Sequence, residues 1–157
     1  MEKVRKEPVK LEPADAKQIK ELRANAQNKV RLINVWATWC GPCVAEFDDF
    51  IDTNLRFRHR DFELVTISAQ FPDEREQVQA FLQKHHASTR NYLFGDTDKY
   101  KLLAALDPEW NGAIPYTLLL GPNGEVIHRE VGSVDFLELR RKIVKALNKI
   151  TPWPGMK

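Results

Sequence analysis

Long apolar runs, a strong excess of either charge and a large set of cysteines are all missing from this 157-residue sequence. No stretch approaches the roughly 20 apolar residues of a membrane-spanning helix, and residues 1–11 are charged, without the apolar centre of a signal peptide. The net charge of +2 is too small to indicate a nucleic acid or an anionic membrane as a partner. We therefore expect a soluble chain without a leader, although a mature form from which a leader has been removed would have the same sequence.

Only two cysteines are present, Cys40 and Cys43. Two are too few for the disulfide framework of a small secreted domain and for a structural zinc site, which takes about four ligands. We therefore expect neither a bound metal nor a cofactor. A disulfide between residues this close closes a small loop and constrains the unfolded chain little. Reversible thiol–disulfide chemistry is therefore a better explanation of the pair than a structural crosslink.

The bulk composition, 43% hydrophobic and 29% charged, is ordinary for a globular protein. Together with the length, it predicts a single domain over residues 1–157 that can bury a core. We expect that core to occupy about residues 9–150. The remaining residues, 151–157, contain two prolines and are predicted to form a loose tail.

Apolar periodicity predicts strands that alternate with helices. Residues 8–13 are predicted to form an extended segment. The predicted helices cover 13–28, 73–85, 96–106 and 135–149, with a further helix that begins at 41 or 42. The predicted strands cover 30–37, 62–69, 92–94, 116–120 and 125–131. Helices that connect the early strands imply parallel pairing, whereas the Gly-Pro-Asn-Gly turn at 121–124 implies a late antiparallel hairpin. The pattern predicts an α/β fold with a mixed central sheet.

Cys40 is predicted to lie where a strand becomes a helix. The unpaired amides and the positive end of the helix dipole favour a thiolate at that position. Cys43 comes one turn later and is expected to be more covered. We therefore predict that Cys40 attacks a disulfide and that Cys43 resolves the mixed disulfide. The alternative is a pair of buried free cysteines without redox function.

The segment 36–43, Trp-Ala-Thr-Trp-Cys-Gly-Pro-Cys, resembles the active site of the thioredoxin fold, and the element order fits that fold over roughly residues 9–150. The chain is most similar to the extracytoplasmic TlpA/ResA branch. Asn34 replaces the buried aspartate of thioredoxin, Glu46 follows three residues after Cys43, and the segment 73–106 is longer than thioredoxin needs. The resemblance implies a thioredoxin-like mixed sheet with helices on both faces.

The resemblance also implies roles for Glu46 and Pro115. Glu46 shares a helix face with Cys43, so a partly buried carboxylate there could move protons to or from that cysteine. The alternative is a solvated glutamate. Thioredoxin-fold proteins carry a cis-proline beside their cysteine pair, which Pro115 would supply. The backbone of Ile114 could then pair with an extended substrate segment.

Aromatic residues and the residues between the two cysteines complete the predicted site. Trp39, Gly41 and Pro42 are predicted to contact the substrate together with Ile114 and Pro115. Trp36 is expected in the core, because it alternates inward on its strand. For Trp110, near Pro115 in the sequence, surface packing and a contact with the site remain equal alternatives.

The predicted function is a thiol–disulfide oxidoreductase that reduces protein disulfides through a Cys40/Cys43 dithiol–disulfide cycle. The resemblance implies a monomer outside the cytoplasm, periplasmic or membrane-tethered, that acts on protein thiols and disulfides and receives electrons from a membrane thiol donor. Cytochrome c maturation and general extracytoplasmic redox maintenance are two such tasks. The alternatives are a redox-responsive protein-binding module and a cytoplasmic thioredoxin-like reductant, which the absence of a leader favours.

Overall fold

The computed structural model describes residues 6–96 and 98–152. Most of the predicted tail, from residue 153 onward, lies outside the described residues. Within them the elements follow the order β1 (Glu12–Ala14), α1 (Ala16–Ala24), β2 (Val30–Trp36), α2 (Gly41–Phe57), β3 (Phe62–Ser68), α3 (Arg75–Lys84), β4 (Arg90–Phe94), α4 (Lys99–Leu106), β5 (Tyr116–Leu120), β6 (Val126–Val131) and α5 (Phe136–Ile150). Short 3₁₀ turns at Pro72–Glu74 and Pro122–Gly124 precede α3 and β6.

The strands form one mixed sheet in the order β1-β4-β3-β2-β5-β6. The pairs β1–β4, β4–β3 and β3–β2 are parallel, whereas β5 runs antiparallel to both β2 and β6. The predicted combination of parallel crossovers and a late hairpin is therefore confirmed. All seven residues of β2 are buried, as expected for a strand that is covered on both faces.

Helices cover both faces of the sheet, which confirms the predicted fold class. On one face, α1 and α4 pack against Ile33 and Val35 of β2. On the other face, α2, α3 and α5 pack against Leu32 and Trp36 of the same strand. Successive residues of a strand point to opposite faces of the sheet, so alternate side chains of β2 pack against the two helical layers.

The N-terminal region differs from the prediction at β1. Residues 12–14 pair in parallel with residues 92–94 of β4 and so extend the sheet by one strand. A strand of three residues has too little alternation to be recognised from sequence. The predicted helix over 13–28 begins only at Ala16, because Asp15 caps it and accepts a hydrogen bond from the Gln18 amide at 2.8 Å.

The same helix also ends earlier than predicted. Asn25 takes a left-handed conformation with φ 42°, which terminates a helix. Its side-chain Nδ2 donates to the carbonyls of Lys29 and Gly121, at 2.8 and 2.9 Å. The chain therefore turns toward β2 at a position where the apolar periodicity alone would continue the helix to residue 28.

The predicted turn before β6 is confirmed. Asn123 and Gly124 both have positive φ, 60° and 82°, as the Asn-Gly pair indicates. The Asn123 amide donates to the Asn25 carbonyl at 3.1 Å, so this turn also braces the end of α1. Among the described helices, none is both long and apolar enough to cross a lipid bilayer.

Candidate active site

The cysteine pair lies at the junction between β2 and α2. Cys40 is the N-cap of α2, and Pro42 lies in its first turn, where a proline loses no helical hydrogen bond. Gln70, which follows β3, fixes the preceding loop: its Oε1 accepts from the Thr38 amide and its Nε2 donates to the Thr38 hydroxyl, both at 2.8 Å. The sequence analysis missed Gln70, although a polar residue just after a neighbouring parallel strand lies at the same sheet edge.

Cys40 and Cys43 form a disulfide in this structure, with their Cα atoms 5.2 Å apart. The Cys43 backbone amide donates to the Cys40 sulfur at 3.3 Å. An amide of the first turn of α2 is therefore aimed at the sulfur of Cys40, where it would stabilise a thiolate after reduction. Cys40 is 6% exposed and Cys43 only 2%, which agrees with the expected order of coverage.

Ile114 and Pro115 lie close to the cysteines. The Ile114–Pro115 peptide bond is cis, as the resemblance implied, and Pro115 is buried. The Ile114 side chain packs against the apolar cluster that contains both cysteines. Within residues 6–96 and 98–152, neither the amide nor the carbonyl of Ile114 has a hydrogen bond, whereas the Pro115 carbonyl accepts from the Gly132 amide at 2.8 Å.

The other predicted contact residues surround the disulfide on its solvent side. Trp39 is 61% exposed, and both Gly41 and Pro42 are exposed. Trp36, by contrast, is fully buried, which confirms its predicted place in the core. The structure therefore brings the predicted contact residues to one surface, and their roles in substrate binding stay predictions.

Trp110 packs in the core and not on the surface, so the first alternative is wrong. Its ring is 6% exposed and stacks on Tyr116 with a centroid distance of 4.5 Å, so it is a packing residue. It also lines a small cavity together with Trp39 and Ile114. The buried Tyr116 hydroxyl donates to Asp107, and burial raises the pKa of Tyr116 well above its ordinary value.

Asn34 is a buried polar residue on the sheet face beneath α2. In the register of β2 it lies opposite Thr66 on one side and Thr117 on the other. Its Nδ2 donates a long hydrogen bond of 3.5 Å to the Tyr116 carbonyl. An amide in this position carries no titratable proton, so Asn34 is a hydrogen-bonded polar residue of the core and not a proton carrier.

Glu46 is buried, so the alternative of a solvated glutamate is wrong. The residue is 7% exposed, and its Oε2 accepts from the Val134 amide at 3.1 Å. Its Oε1 has no hydrogen-bond partner in the described part of the chain. Burial raises the pKa of the Glu46 carboxyl, the Val134 amide lowers it, and the nearby Glu130 and Asp49 raise it further, with a net upward shift.

Glu46→Gln should stabilise the protein in a pH-dependent way. A folded-state pKa above the unfolded value means that protonation favours the native state, so wild-type stability falls as pH rises from about 4.3 through the raised pKa. The variant lacks this loss and should be more stable than the wild type at neutral pH, with a difference that shrinks as the pH is lowered. Urea unfolding between acidic and neutral pH measures the difference.

The matched control for this prediction is Glu76→Gln, which changes an exposed glutamate of α3. It should show no pH-dependent difference from the wild type. If Glu46→Gln differs from the wild type by the same amount at every pH, the Glu46 carboxylate does not titrate with folding. The alkylation rates of both cysteines against pH, in the reduced Glu46→Gln protein, test the predicted link between this carboxyl and the dithiol.

The fold and the cysteine pair define a protein of the thioredoxin fold with a redox-capable Cys-Gly-Pro-Cys motif at the start of a helix. Residues 7–129 match the AhpC/TSA family, and the chain belongs to that family. A crystal structure of a thiol:disulfide interchange protein of the thioredoxin family from Chlorobium tepidum TLS shares the fold. It is 23% identical with a TM-score of 0.65, over 79% of this chain and 83% of that one.

Two curated relatives define the branch more closely. The thiol-disulfide oxidoreductase ResA of Bacillus subtilis is 28% identical over 124 residues, which are 79% of this chain and 64% of the relative. The DsbE homologue of Paracoccus denitrificans, a thiol:disulfide interchange protein, is 26% identical over 130 residues, 78% of this chain and 62% of the relative. The chain thus spans less than two thirds of either relative. These likenesses confirm the resemblance to the TlpA/ResA branch.

Proposed function

We propose that this protein is a thiol–disulfide oxidoreductase that reduces disulfides in other proteins through Cys40 and Cys43. One observation carries the proposal: the Cys43 amide donates to the Cys40 sulfur at the start of α2. That amide and the helix dipole favour a negative charge on Cys40 rather than on Cys43. The relatives named ResA and DsbE, a thiol-disulfide oxidoreductase and a thiol:disulfide interchange protein, support the same chemistry.

The reaction begins with the reduced dithiol. The Cys40 thiolate attacks one sulfur of a substrate disulfide, forms a mixed disulfide and releases the other substrate sulfur as a thiolate. Cys43 then loses its proton and attacks the Cys40 sulfur, which releases the second substrate thiol and forms the Cys40–Cys43 disulfide. Two electrons pass from the protein to the substrate, and an external dithiol must return them before the next cycle.

Glu46 is the proposed proton carrier for the second step. The residue lies one helical turn beyond Cys43 on α2, and burial raises the pKa of its carboxyl, which makes it a better proton acceptor than a solvated glutamate. An ionised Glu46 can accept the Cys43 proton as that cysteine becomes the attacking thiolate. A charged carboxylate beside the site also opposes thiolate formation, so its protonation state affects both steps.

The substrate is proposed to bind as an extended segment against Ile114. The amide and carbonyl of Ile114 are free within the described residues, and Pro115 lacks the amide proton that would otherwise compete. Backbone pairing of this kind gives affinity without strict sequence dependence. Trp39, Gly41 and Pro42 would then contact the segment on the other side of the disulfide.

The likeness to ResA and DsbE supports a proposal for the compartment and the partners. We place the protein outside the cytoplasm, in the periplasm or tethered to a membrane, as a monomeric thioredoxin-like domain over residues 1–157. A membrane thiol donor would reduce the Cys40–Cys43 disulfide after each turnover. The disulfides of apocytochrome c and those of other extracytoplasmic proteins are the proposed substrates.

Catalysed turnover tests the function. The protein, supplied with excess dithiothreitol, should accelerate reduction of a disulfide-bonded test protein over many turnovers, because the exchange regenerates the dithiol. Thiols released per protein molecule measure this directly, and a sample whose cysteines have been alkylated is the control. A single stoichiometric exchange without further turnover would instead support a redox-responsive binding module, and no exchange at all would contradict the proposal.

A further inference from the structure

A small cavity is lined by two residues that adjoin the active-site motifs in the sequence. Its volume is about 60 Å³, and its walls include Trp39, which precedes Cys40, and Ile114, which precedes Pro115. Leu102 and Leu103 of α4 and the ring of Trp110 complete its apolar lining. In the exchange reaction proposed above, these side chains act only as contact surface. That reaction therefore gives the cavity itself no role.

Two of the lining residues, Leu102 and Trp110, are held in place by packing. Leu102 is 3% exposed, and the ring of Trp110 stacks on the buried Tyr116. The Trp110 Nε1 donates to the Ala113 carbonyl at 2.8 Å, which fixes the ring plane against the loop that leads to Ile114. The cavity is therefore preformed, and an apolar group that enters it pays little to reorganise the protein.

A positive charge lies at the mouth of the same cavity. The Lys99 ammonium, which belongs to the first residue of α4, lies 6.0 Å from the Trp39 ring centroid and 5.9 Å from that of Phe71. Trp39 is 61% and Phe71 45% exposed. Asp96 lines a neighbouring cavity with Lys99, but its carboxylate pairs with Lys101, and in the described part of the chain Lys99 forms no ion pair. A cation held over two exposed rings without an ion-pair partner favours an incoming carboxylate.

We infer that this cavity and Lys99 form a specificity subsite for protein substrates that carry a short aliphatic residue and an acidic residue near the reactive cysteine. The inference rests on the proposed function. A volume of about 60 Å³ suits an aliphatic side chain better than an aromatic ring. Successive residues of an extended substrate are about 3.3 Å apart, so both selected residues lie within a few positions of the substrate sulfur.

The test uses peptides of equal length whose single cysteine forms a disulfide with thionitrobenzoate. The reduced protein attacks the peptide sulfur through Cys40 and releases coloured thionitrobenzoate, and Cys43 then releases the peptide thiol. Peptides with leucine and glutamate near the cysteine should react faster than those with glycine and lysine. We expect the peptide with leucine to react about tenfold faster than the one with glycine. At low salt, the peptide with glutamate should react about threefold faster than the one with lysine, and this second difference should disappear at high salt.

Two variants of the subsite and two matched controls locate the preference. Ala69→Leu places a larger side chain in the cavity wall and should remove the preference for leucine, whereas Ala104→Leu, on the exposed side of α4, should retain it. Lys99→Glu should reverse the charge preference. Lys101→Glu, two residues away and paired with Asp96, should leave that preference unchanged.

The outcomes separate the inference from the proposed function. If the protein reduces dithiobis-nitrobenzoate and reacts with all the peptides at the same rate as one another, the proposed function is supported and the proposed subsite is wrong. A preference that survives Ala69→Leu and Lys99→Glu places the specificity elsewhere and also overturns the subsite. A protein that reacts with neither the small disulfide nor any peptide overturns both proposals. The comparison among peptides needs only the wild-type protein, so it holds even if a variant fails to fold.

Discussion

Cys43→Ser should capture substrates on Cys40 as stable mixed disulfides, whereas Cys40→Ser should capture none and lose all catalysed turnover. The asymmetry follows from the site. The Cys43 amide donates to the Cys40 sulfur, and Cys43 itself is almost completely buried. In Cys43→Ser the attack proceeds, but no second thiol is available to resolve the adduct. In Cys40→Ser the remaining thiol lacks both the helix-terminal amides and access to a protein disulfide.

Mass spectrometry under non-reducing conditions measures this prediction. After incubation with a disulfide-bonded test protein, Cys43→Ser should gain the mass of one substrate molecule, and reduction should remove it. Cys40→Ser should show no turnover with dithiothreitol above the uncatalysed rate. If the two variants formed adducts equally well, the roles of attacker and resolver would not be those that the helix N-terminus assigns.

Trapping in a cell extract extends the same experiment to natural substrates. The identity of proteins bound to Cys43→Ser, compared with those recovered on Cys40→Ser, would distinguish an extracytoplasmic reductant from a cytoplasmic one. Apocytochrome c among the captured proteins would support a role in cytochrome c maturation. Capture of cytoplasmic proteins alone would contradict the proposed compartment while leaving the exchange chemistry intact.

The main parts of the site were predictable because they are local in sequence. The strand β2, the proline in the first helical turn and the spacing of Cys40 and Cys43 all lie within residues 30–43. Each follows from a local rule on strand composition, helix starts or thiol chemistry. The same holds for the hairpin turn, because Asn123 and Gly124 supply the positive φ values that this turn requires.

The parts that sequence alone did not predict depend on contacts between distant segments. Residues 12–14 form a strand only because β4 offers an open edge. Gln70 reaches the active-site loop from a neighbouring strand, and the Glu46 carboxylate accepts a hydrogen bond from an amide 88 positions away. From its spacing alone, Glu46 could be either buried or solvated. The segment after β6 buries it, which decides between the two.

In the apolar cluster that contains both cysteines, truncation of the central side chain, Phe47, should lower the stability most. Phe47, fully buried on α2 one turn beyond Cys43, has ring centroid distances of 4.8 Å to Trp36 of β2 and 5.1 Å to Phe81 of α3. Both cysteines belong to the same apolar cluster. This ring therefore joins the helix that begins at Cys40 to the central strand and to α3.

Phe47→Ala should lower the free energy of unfolding by about 3–5 kcal/mol, because it removes buried apolar surface and leaves a cavity that the three elements cannot close. Urea unfolding of the oxidised protein measures the loss. Phe47→Leu, which retains most of the volume, should cost less than about half as much. Leu137→Ala, at an exposed position of α5, should stay within about 0.5 kcal/mol of the wild type. Equal losses for Phe47→Ala and Leu137→Ala would show that the start of α2 is not anchored through this ring.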